Sequence, residues 1–546
     1  MNKQQTLNYL LERNILLSPE LLHQLPEEID TETLLQLTKD KFKTAPLILN
    51  QDLYSSSGQS ADIHWQDYDT SRALHEKGKQ STYSKFMEHI TPSSPATQTA
   101  QLQEQVQLEK IETLPPIKNE SKEGTVTIIK SYTEEGAKRD VQDFVSHFKA
   151  RYESIKKILL ARPELQNSIS ISRAAKKAER EQVSIIGMIS EKRETKKGNI
   201  MLHLEDPSGI IKVVLSKSKP ETFELAQDLV LDEVIGITGS TGDNIIFANT
   251  IYFPDIPLNH ELKKAPDEAY AVFVSDIHFG LNLFLEQDFL KFIEWLKGDY
   301  GTEHQREMAK KVKYLFVVGD IVEGIGIYPG QEQDLTQPDI YGQYEIATKY
   351  FKMVPEHIKI IICGGNHDAM RIAEPQPIFD PKICKGFYEI HNMIMVSNPA
   401  VVNIHSSDGF PGFNVLMYHG FSLPFYGDNI QSIRQKGGMD RCDLILKFYL
   451  QRRHLAPTHG SNLYMPDPKE DPLVIDIVPD IIATGHIHRI VAGNYRNVTF
   501  LNSSCWANQS DDQARRGIVP NPAKIPVINL KTREIKIMNF KGEANA

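Results

Sequence analysis

The chain has 546 residues, 40% hydrophobic and 24% charged, with a formal net charge of −10; that length and balance predict a soluble, multi-domain globular protein. Affinity for phosphate backbones rests on Lys and Arg, so the acidity excludes attraction of nucleic acid to the whole molecule and leaves only local contacts or contacts lent by a partner. No apolar stretch approaches a membrane span, the opening Met1-Asn2-Lys3-Gln4-Gln5 has no signal-peptide character, and Cys363, Cys384, Cys442 and Cys505 form no C-x-x-C pair; a cytoplasmic location with reduced, buried thiols is expected.

Residues 1–45 predict a small helical unit, with Leu7, Leu10 and Leu11 at helical spacing, Ser18-Pro19-Glu20 as a capped start and a second start at Thr31. Its apolar stripe serves equally as a minimal core or as a face for a partner. Over 46–135 the composition shifts to Ser, Gln, Thr, Pro and Glu, too little apolar area to offset ordering entropy, so a disordered linker is expected, with transient helix over 101–112. A helix follows over 141–160, with Phe144, Phe148, Tyr152, Ile155 and Leu159 on one face.

Strand-like runs over 183–189, 200–204, 210–215, 234–237 and 245–251 are separated by turn residues, with a helix over 221–229 before the fourth. Five strands with that helix fit an OB-fold, giving a helix-plus-OB domain over 136–255. Lys192, Arg193, Lys196 and Lys197 make a basic hairpin on it. Its stacking candidates, Phe247 and Tyr252, also suit the core, so a structural or docking barrel is favoured over a principal DNA binder.

From 256 to the C-terminus, five apolar, β-branched runs each break into small residues and then potential ligands. They lead to Asp276 and His278, to Asp320 and Glu323, to Asn366, His367 and Asp368, to His419, and to His486 and His488. In α/β folds ligands gather at the carboxyl ends of strands. Taken singly, Asp276 or Asp320 suits a helix cap, Asn366 a turn and His419 a packed core. All five sets following a strand favours a shared centre instead. Mixed nitrogen and oxygen donors suit a pair of divalent cations about 3.5–4 Å apart that clamp a phosphoryl group. The loop over 324–344, rich in Gly, Pro, Gln and Asp, is expected to shape access to this centre. Arg434, Lys436, Arg441, Lys447, Arg452, Arg453 and His454 suggest a path for a DNA strand.

The order D-x-H, G-D-x-x-E, G-N-H-D, Y-H-G and G-H-x-H resembles the calcineurin-like metallophosphoesterase superfamily, most closely its DNA-repair nuclease branch. The run from Gly365 to Pro377, GNHDAMRIAEPQP, is similar to the small-subunit family of archaeal family D DNA polymerases. The resemblance extends from about Val141 to the C-terminus, and it strengthens the OB-fold reading. It implies an α/β phosphoesterase sandwich flanked by helices. Asp276, His278, Asp320 and His488 would hold one metal, and Asp320, Asn366, His419 and His486 the other, with Asp320 bridging. His367 would protonate the leaving oxygen, oriented by Asp368, while Glu323 is not a direct ligand in this pattern. Mn2+ is the expected metal, with Mg2+, Fe2+ and Zn2+ also compatible. Arg371 and Arg489, close in sequence to ligands, are candidates to steady a substrate phosphate.

The implied function is a metal-dependent 3′-to-5′ exonuclease acting on single-stranded or mismatched ends, proofreading for a large subunit that carries synthesis on another chain. The sliding clamp is a further partner by the same analogy, although Gln4-Gln5-Thr6-Leu7 does not locate the contact. A catalytically silent scaffold and a free-standing metallophosphatase are the competing readings. The complete ligand set and His367 weigh against the first. The OB-fold, helical unit and linker weigh against the second.

Overall fold

The computed structural model describes residues 125–133, 136–515 and 517–542, together with two short strands, β1 (Leu16–Leu17) and β2 (Ile48–Leu49), paired in parallel. The helical unit expected over 1–45, those strands apart, and the helix over 101–112 lie outside the described residues. Among the described residues no helix is long and apolar enough to cross a membrane.

The linker expected over 46–135 ends earlier than its composition suggested. Residues 125–131 form β3 (Thr125–Ser131), which pairs antiparallel with a strand far along the chain, Val126 opposite Ile404 and Ser131 opposite Ala400. The cause is local: Val126-Thr127-Ile128-Ile129 is a β-branched run inside an otherwise polar stretch. Tyr132 then turns inward, its N–H donating to Ser397 Oγ at 2.7 Å and its hydroxyl to Asp467 at 3.1 Å.

Helix α1 (Val141–Leu160) starts at an Asp140 capping box and buries His147, Arg151, Tyr152, Ile155 and Leu159. The Arg151 guanidinium reaches Asp471 at 2.6 Å, and His454 approaches the same carboxylate at 2.8 Å. This buried cluster ties α1 to the C-terminal domain.

Strands β4 (Gln182–Glu194), β5 (Ile200–Asp206), β6 (Gly209–Leu215), β7 (Val234–Gly242) and β8 (Ile245–Tyr252) close into a barrel in the order β4-β5-β6-β8-β7. Helix α2 (Pro220–Gln227) lies between β6 and β7 in the chain, which completes an OB-fold. Ile185, Leu202, Leu204, Val213, Ile235 and Ile237 point inward at alternate positions. Strand β4 outruns its apolar segment because Lys192, half-buried, and the exposed Arg193 and Glu194 continue the ladder with β5. Glu233 of the barrel meets Arg452 of the C-terminal domain at 3.2 Å, both buried.

The C-terminal domain is a sandwich of two six-stranded sheets. One runs β12-β11-β10-β9-β18-β19, from β9 (Tyr270–Val274), β10 (Val312–Val318), β11 (Lys359–Cys363), β12 (Met393–Met395), β18 (Lys524–Asn529) and β19 (Ile535–Asn539). The other runs β16-β17-β15-β14-β13-β3, adding β13 (Ala400–Ser406), β14 (Phe413–Met417), β15 (Ile481–Thr484), β16 (Val491–Tyr495) and β17 (Val498–Asn502). Along β9 and β10, Phe273, Tyr314, Phe316 and Val318 face the opposite sheet, while Val272, Val274, Leu315 and Val317 face the outer helices. Burial on both faces explains why these strands read as unbroken apolar runs. Helices α3 (Glu286–Lys297) and α4 (Ile340–Phe351) contribute to the core outside the first sheet. Helices α5 (Leu423–Asn429) and α6 (Cys442–Arg452) contribute to the core outside the second. β9, β10 and β11 are mutually parallel, as are β14 and β15, so their carboxyl ends gather at one edge of the sandwich.

Candidate metal centre

All seven expected donor residues stand at that edge. Five of them, Asp276, His278, Asp320, His486 and His488, adopt positive φ between 50° and 70°. Side chains rarely accept that backbone, and it persists only where surrounding bonds fix it. Here the Asp276 carboxylate accepts the His486 N–H at 3.0 Å, and Asp320 Oδ1 accepts the His367 N–H at 2.8 Å. Gly365 is required by close approach, since a Cβ there would collide with the Asp320 carboxylate and meet its backbone nitrogen at 2.5 Å.

The donors fall into two sets that share no residue, and a third group, His278, Glu323 and His367, shares His278 with the first. Asp276, His278 and His488 hold their ligand atoms within 4.8 Å of one another, as do Asp320, His419 and His486. In the first set His278 Nε2 faces His488 Nε2 at 3.2 Å, and His488 Nε2 lies 3.3 Å from Asp276 Oδ1. In the second, His419 Nδ1 donates to the Val318 carbonyl at 2.9 Å, which turns Nε2 toward Asn366 Oδ1 at 3.0 Å and Asp320 Oδ2 at 3.1 Å.

An imidazole nitrogen facing two acceptors needs a positive charge between them. Burial would lower the His419 pKa, yet the Asp320 carboxylate lifts it to about 10. Against burial, His419 and His367 hold Asp320 well below the usual carboxylate range. His486 goes the other way, brought down to about 3 by burial and the neighbouring His419, and so presents a neutral ring. Buried carboxylates and imidazoles with converging lone pairs are the donor chemistry that divalent cations take, and the residues present fit two of them.

Glu323 proves closer to the centre than the sequence implied. Its carboxylate lies 2.8 Å from His278 Nδ1, and its backbone carbonyl lies 2.8 Å from His367 Nδ1. Burial would raise its pKa, but His278 brings it to about 2. Tyr328 and Gln331 donate to the same carboxylate at 3.0 and 2.9 Å, so the 324–344 loop grips this residue. Asp368 does not orient His367, correcting the expectation from sequence. Its carboxylate instead accepts N–H bonds from Gly365 at 2.8 Å, Ile321 at 3.3 Å and Val322 at 3.5 Å, and the Tyr344 hydroxyl at 3.1 Å. It braces the two ligand loops from below, and its own pKa is pushed up to about 7 by burial and Asp320. The Gly319-Asp320-x-x-Glu323 spacing after β10 was the available signal for Glu323.

The centre floors a cleft of about 1210 Å³ whose walls include Tyr328, His367, Arg434 and Arg489. Arg489 is held by Asp440 at 2.6 Å across it. Arg371 lies outside this lining: its guanidinium donates to the Pro375 carbonyl at 2.9 Å and stands 5.4 Å from the Tyr132 ring centre. Most of the expected basic path also dissolves. Arg452, Arg453 and His454 are buried, Arg452 on Glu233, Arg453 donating to the Ile475 carbonyl at 2.6 Å, and His454 on Asp471. The two arginine charges and the His454 ring serve domain packing, while Arg441 pairs with Asp443 at 2.7 Å. On the barrel, Lys192 donates to the carbonyls of Gln227 and Leu229 at 2.6 and 2.8 Å, and Phe247 is half exposed. All four cysteines are buried and free.

The family model for calcineurin-like phosphoesterases matches residues 270–489, and that for OB-fold nucleic acid binding domains matches residues 183–244. The DNA polymerase II small subunit of Pyrococcus abyssi is 37% identical over 481 residues, covering 86% of this chain and 73% of that protein. Its counterpart in Methanothermobacter thermautotrophicus is 40% identical over 390 residues, covering 71% and 78%. That of Archaeoglobus fulgidus is 38% identical over 468 residues, covering 85% and 89%.

Proposed function

The chain belongs to the DNA polymerase II small-subunit family, and from that premise we propose that its cleft is a 3′-to-5′ exonuclease site that trims single-stranded or mismatched DNA ends beside a large subunit carrying synthesis. The observation that carries the reading is the convergence of seven donor side chains from five strand ends, four of which, His278, Asp320, His486 and His488, line the cleft together with His367. Asp276, His278, Asp320 and His488 are assigned to one cation and Asp320, Asn366, His419 and His486 to the other, with Asp320 shared. When bound by these residues, two divalent cations, Mn2+ first among Mg2+, Fe2+ and Zn2+, would supply positive charge for the scissile phosphate and lower the pKa of a water.

His367 donates a proton to the departing 3′-oxygen. Its Nδ1 is occupied by the Glu323 carbonyl, which leaves Nε2 as the nitrogen that serves the cleft. Asp368 acts indirectly, by holding the loops that carry Asp320 and Asn366. Arg489, in the cleft wall and released from Asp440, is suited to steady a substrate phosphate. A small phosphate ester would occupy only a fraction of the cleft, which favours a polynucleotide over a free-standing phosphatase substrate.

The test is incubation of the purified chain, with and without Mn2+, on DNA labelled at its 5′ end. Stepwise shortening from the 3′ end supports the assignment. Release of inorganic phosphate alone supports a phosphatase, and inertness with and without the large subunit supports a scaffold.

A further inference from the structure

Behind the centre, two buried amide side chains face one another. Asn398 is fully buried just before β13, and Gln376, 2% exposed, follows the segment that bears Asn366. Their backbones exchange two bonds, Gln376 N–H to the Asn398 carbonyl at 2.7 Å and Asn398 N–H to the Gln376 carbonyl at 3.0 Å. Their side chains add a third, from Asn398 Nδ2 to Gln376 Oε1 at 2.7 Å.

What is left of each amide points at a ligand loop. Asn398 Oδ1 accepts the backbone N–H of His419 at 2.9 Å, and Gln376 Nε2 donates to the carbonyl of Gly365, the residue before Asn366, at 3.0 Å. One hydrogen-bonded line therefore runs from the end of β14 in one sheet to the end of β11 in the other. At its two ends stand His419 and Asn366, whose donor atoms are 3.0 Å apart. Buried amides are costly unless satisfied; these direct most of their bonds along that line, while Gln376 Nε2 also donates to the Arg371 carbonyl at 3.1 Å and Asn398 Nδ2 to Glu374 Oε1 at 3.5 Å.

We propose that Gln376 and Asn398 are positioning residues that fix the separation of Asn366 and His419 and thereby set the affinity of the cation pocket formed by Asp320, Asn366, His419 and His486. The inference rests on the two-cation reading above. The other pocket, with Asp276, His278 and His488, takes none of its bonds from this line. Partners that orient ligands typically govern metal affinity by about 10–100-fold.

The experiment is calorimetric titration of Mn2+ into the full metal-free chain, with no substrate present. His419→Ala identifies which binding step belongs to the pocket in question. Gln376→Met and Asn398→Leu, which conserve volume and remove the bonds, are expected to weaken that step by about 10–100-fold. The other step should stay within about twofold, and the double variant should be no weaker than the worse single one, because one line is cut once or twice. Should Gln376→Met fail to fold, Gln376→Glu, which keeps the acceptor for Asn398 and loses both donations, is read in the same way. Unchanged binding, or equal weakening of both steps, overturns the inference. Wild-type chain that takes up fewer than two Mn2+ would instead end the two-cation reading itself, and this inference with it.

Discussion

Replacing His367 by alanine isolates proton transfer from metal binding. The ring lies outside both cation sets assigned above, and its Nδ1 is engaged by the Glu323 carbonyl at 2.8 Å while the side chain stays 16% exposed toward the cleft. The variant should therefore keep its full content of Mn2+. A positioned general acid contributes about 10²–10⁴-fold, which at about 1.36 kcal/mol per tenfold is roughly 2.7–5.4 kcal/mol of barrier. That loss is expected in kcat on DNA with a 3′-terminal nucleotide, measured by single-turnover gel assay. A thymidine 5′-phosphate p-nitrophenyl ester departs as a stable phenolate and needs no proton, so on it the loss should shrink to within about tenfold. Equal losses on both substrates, or a variant emptied of metal, would refute the acid assignment.

Asp320→Ala should leave the chain unable to retain either cation, read as metal per chain after gel filtration; a variant that still carries two removes Asp320 as the bridge. Glu323→Ala frees the ring of His278, whose Nδ1 lies 2.8 Å from that carboxylate, keeps the backbone carbonyl that holds His367, and should lower kcat by about 10–100-fold with little change in melting temperature. Asp368→Ala strands several buried N–H groups and should lower stability by about 1–3 kcal/mol per group. If Asp368→Ala instead silenced activity without destabilising, the role of orienting His367 would return to Asp368. The cluster under α1 predicts an acid-labile domain junction. Against burial, Arg151 and His454 hold Asp471 well below the carboxylate range, and burial brings His454 down to about 4. Both groups bind protons more readily when unfolded, so the His454 contribution is full above pH ~6.5 and is lost as pH falls through 4, whereas that of Asp471 is full above pH ~3.9 and is lost only at more acid pH. Asp471→Asn should cost about 3–5 kcal/mol at neutral pH, because Arg151 is then buried without its counter-charge. A melting temperature that rose between pH 7 and 4 in the wild type would contradict this.

The strand ends that carry ligands were legible because a sheet covered on both faces writes continuous apolar runs, and the small residues and charges that follow break them abruptly, as at Val318-Gly319-Asp320. Helix α1 and the barrel strands were legible for the same reason of periodicity. What sequence hid was direction. Asp368 is next to His367 in the chain, but successive side chains in a tight loop diverge, so adjacency misled where the more distant Glu323 makes the contact. Arg371, Arg452 and Arg453 looked like surface charge, yet each found buried carbonyls, an aromatic ring or a carboxylate that no local pattern announces. Strand β3 was missed because a short β-branched run carries little weight inside a polar stretch.

That edge strand makes the sandwich discontinuous in sequence. Ser397 N–H meets Ser131 Oγ across 266 positions, with the whole barrel emerging in between. On a ribosome β3 must wait for β13 to be synthesised, with Ile128 and Ile129 offering themselves to any neighbouring nascent chain meanwhile. A shortened clone begun at the barrel would strip one ladder from β13 and leave a raw rim, and should come off a column as aggregate where a clone begun before residue 125 elutes as a discrete species.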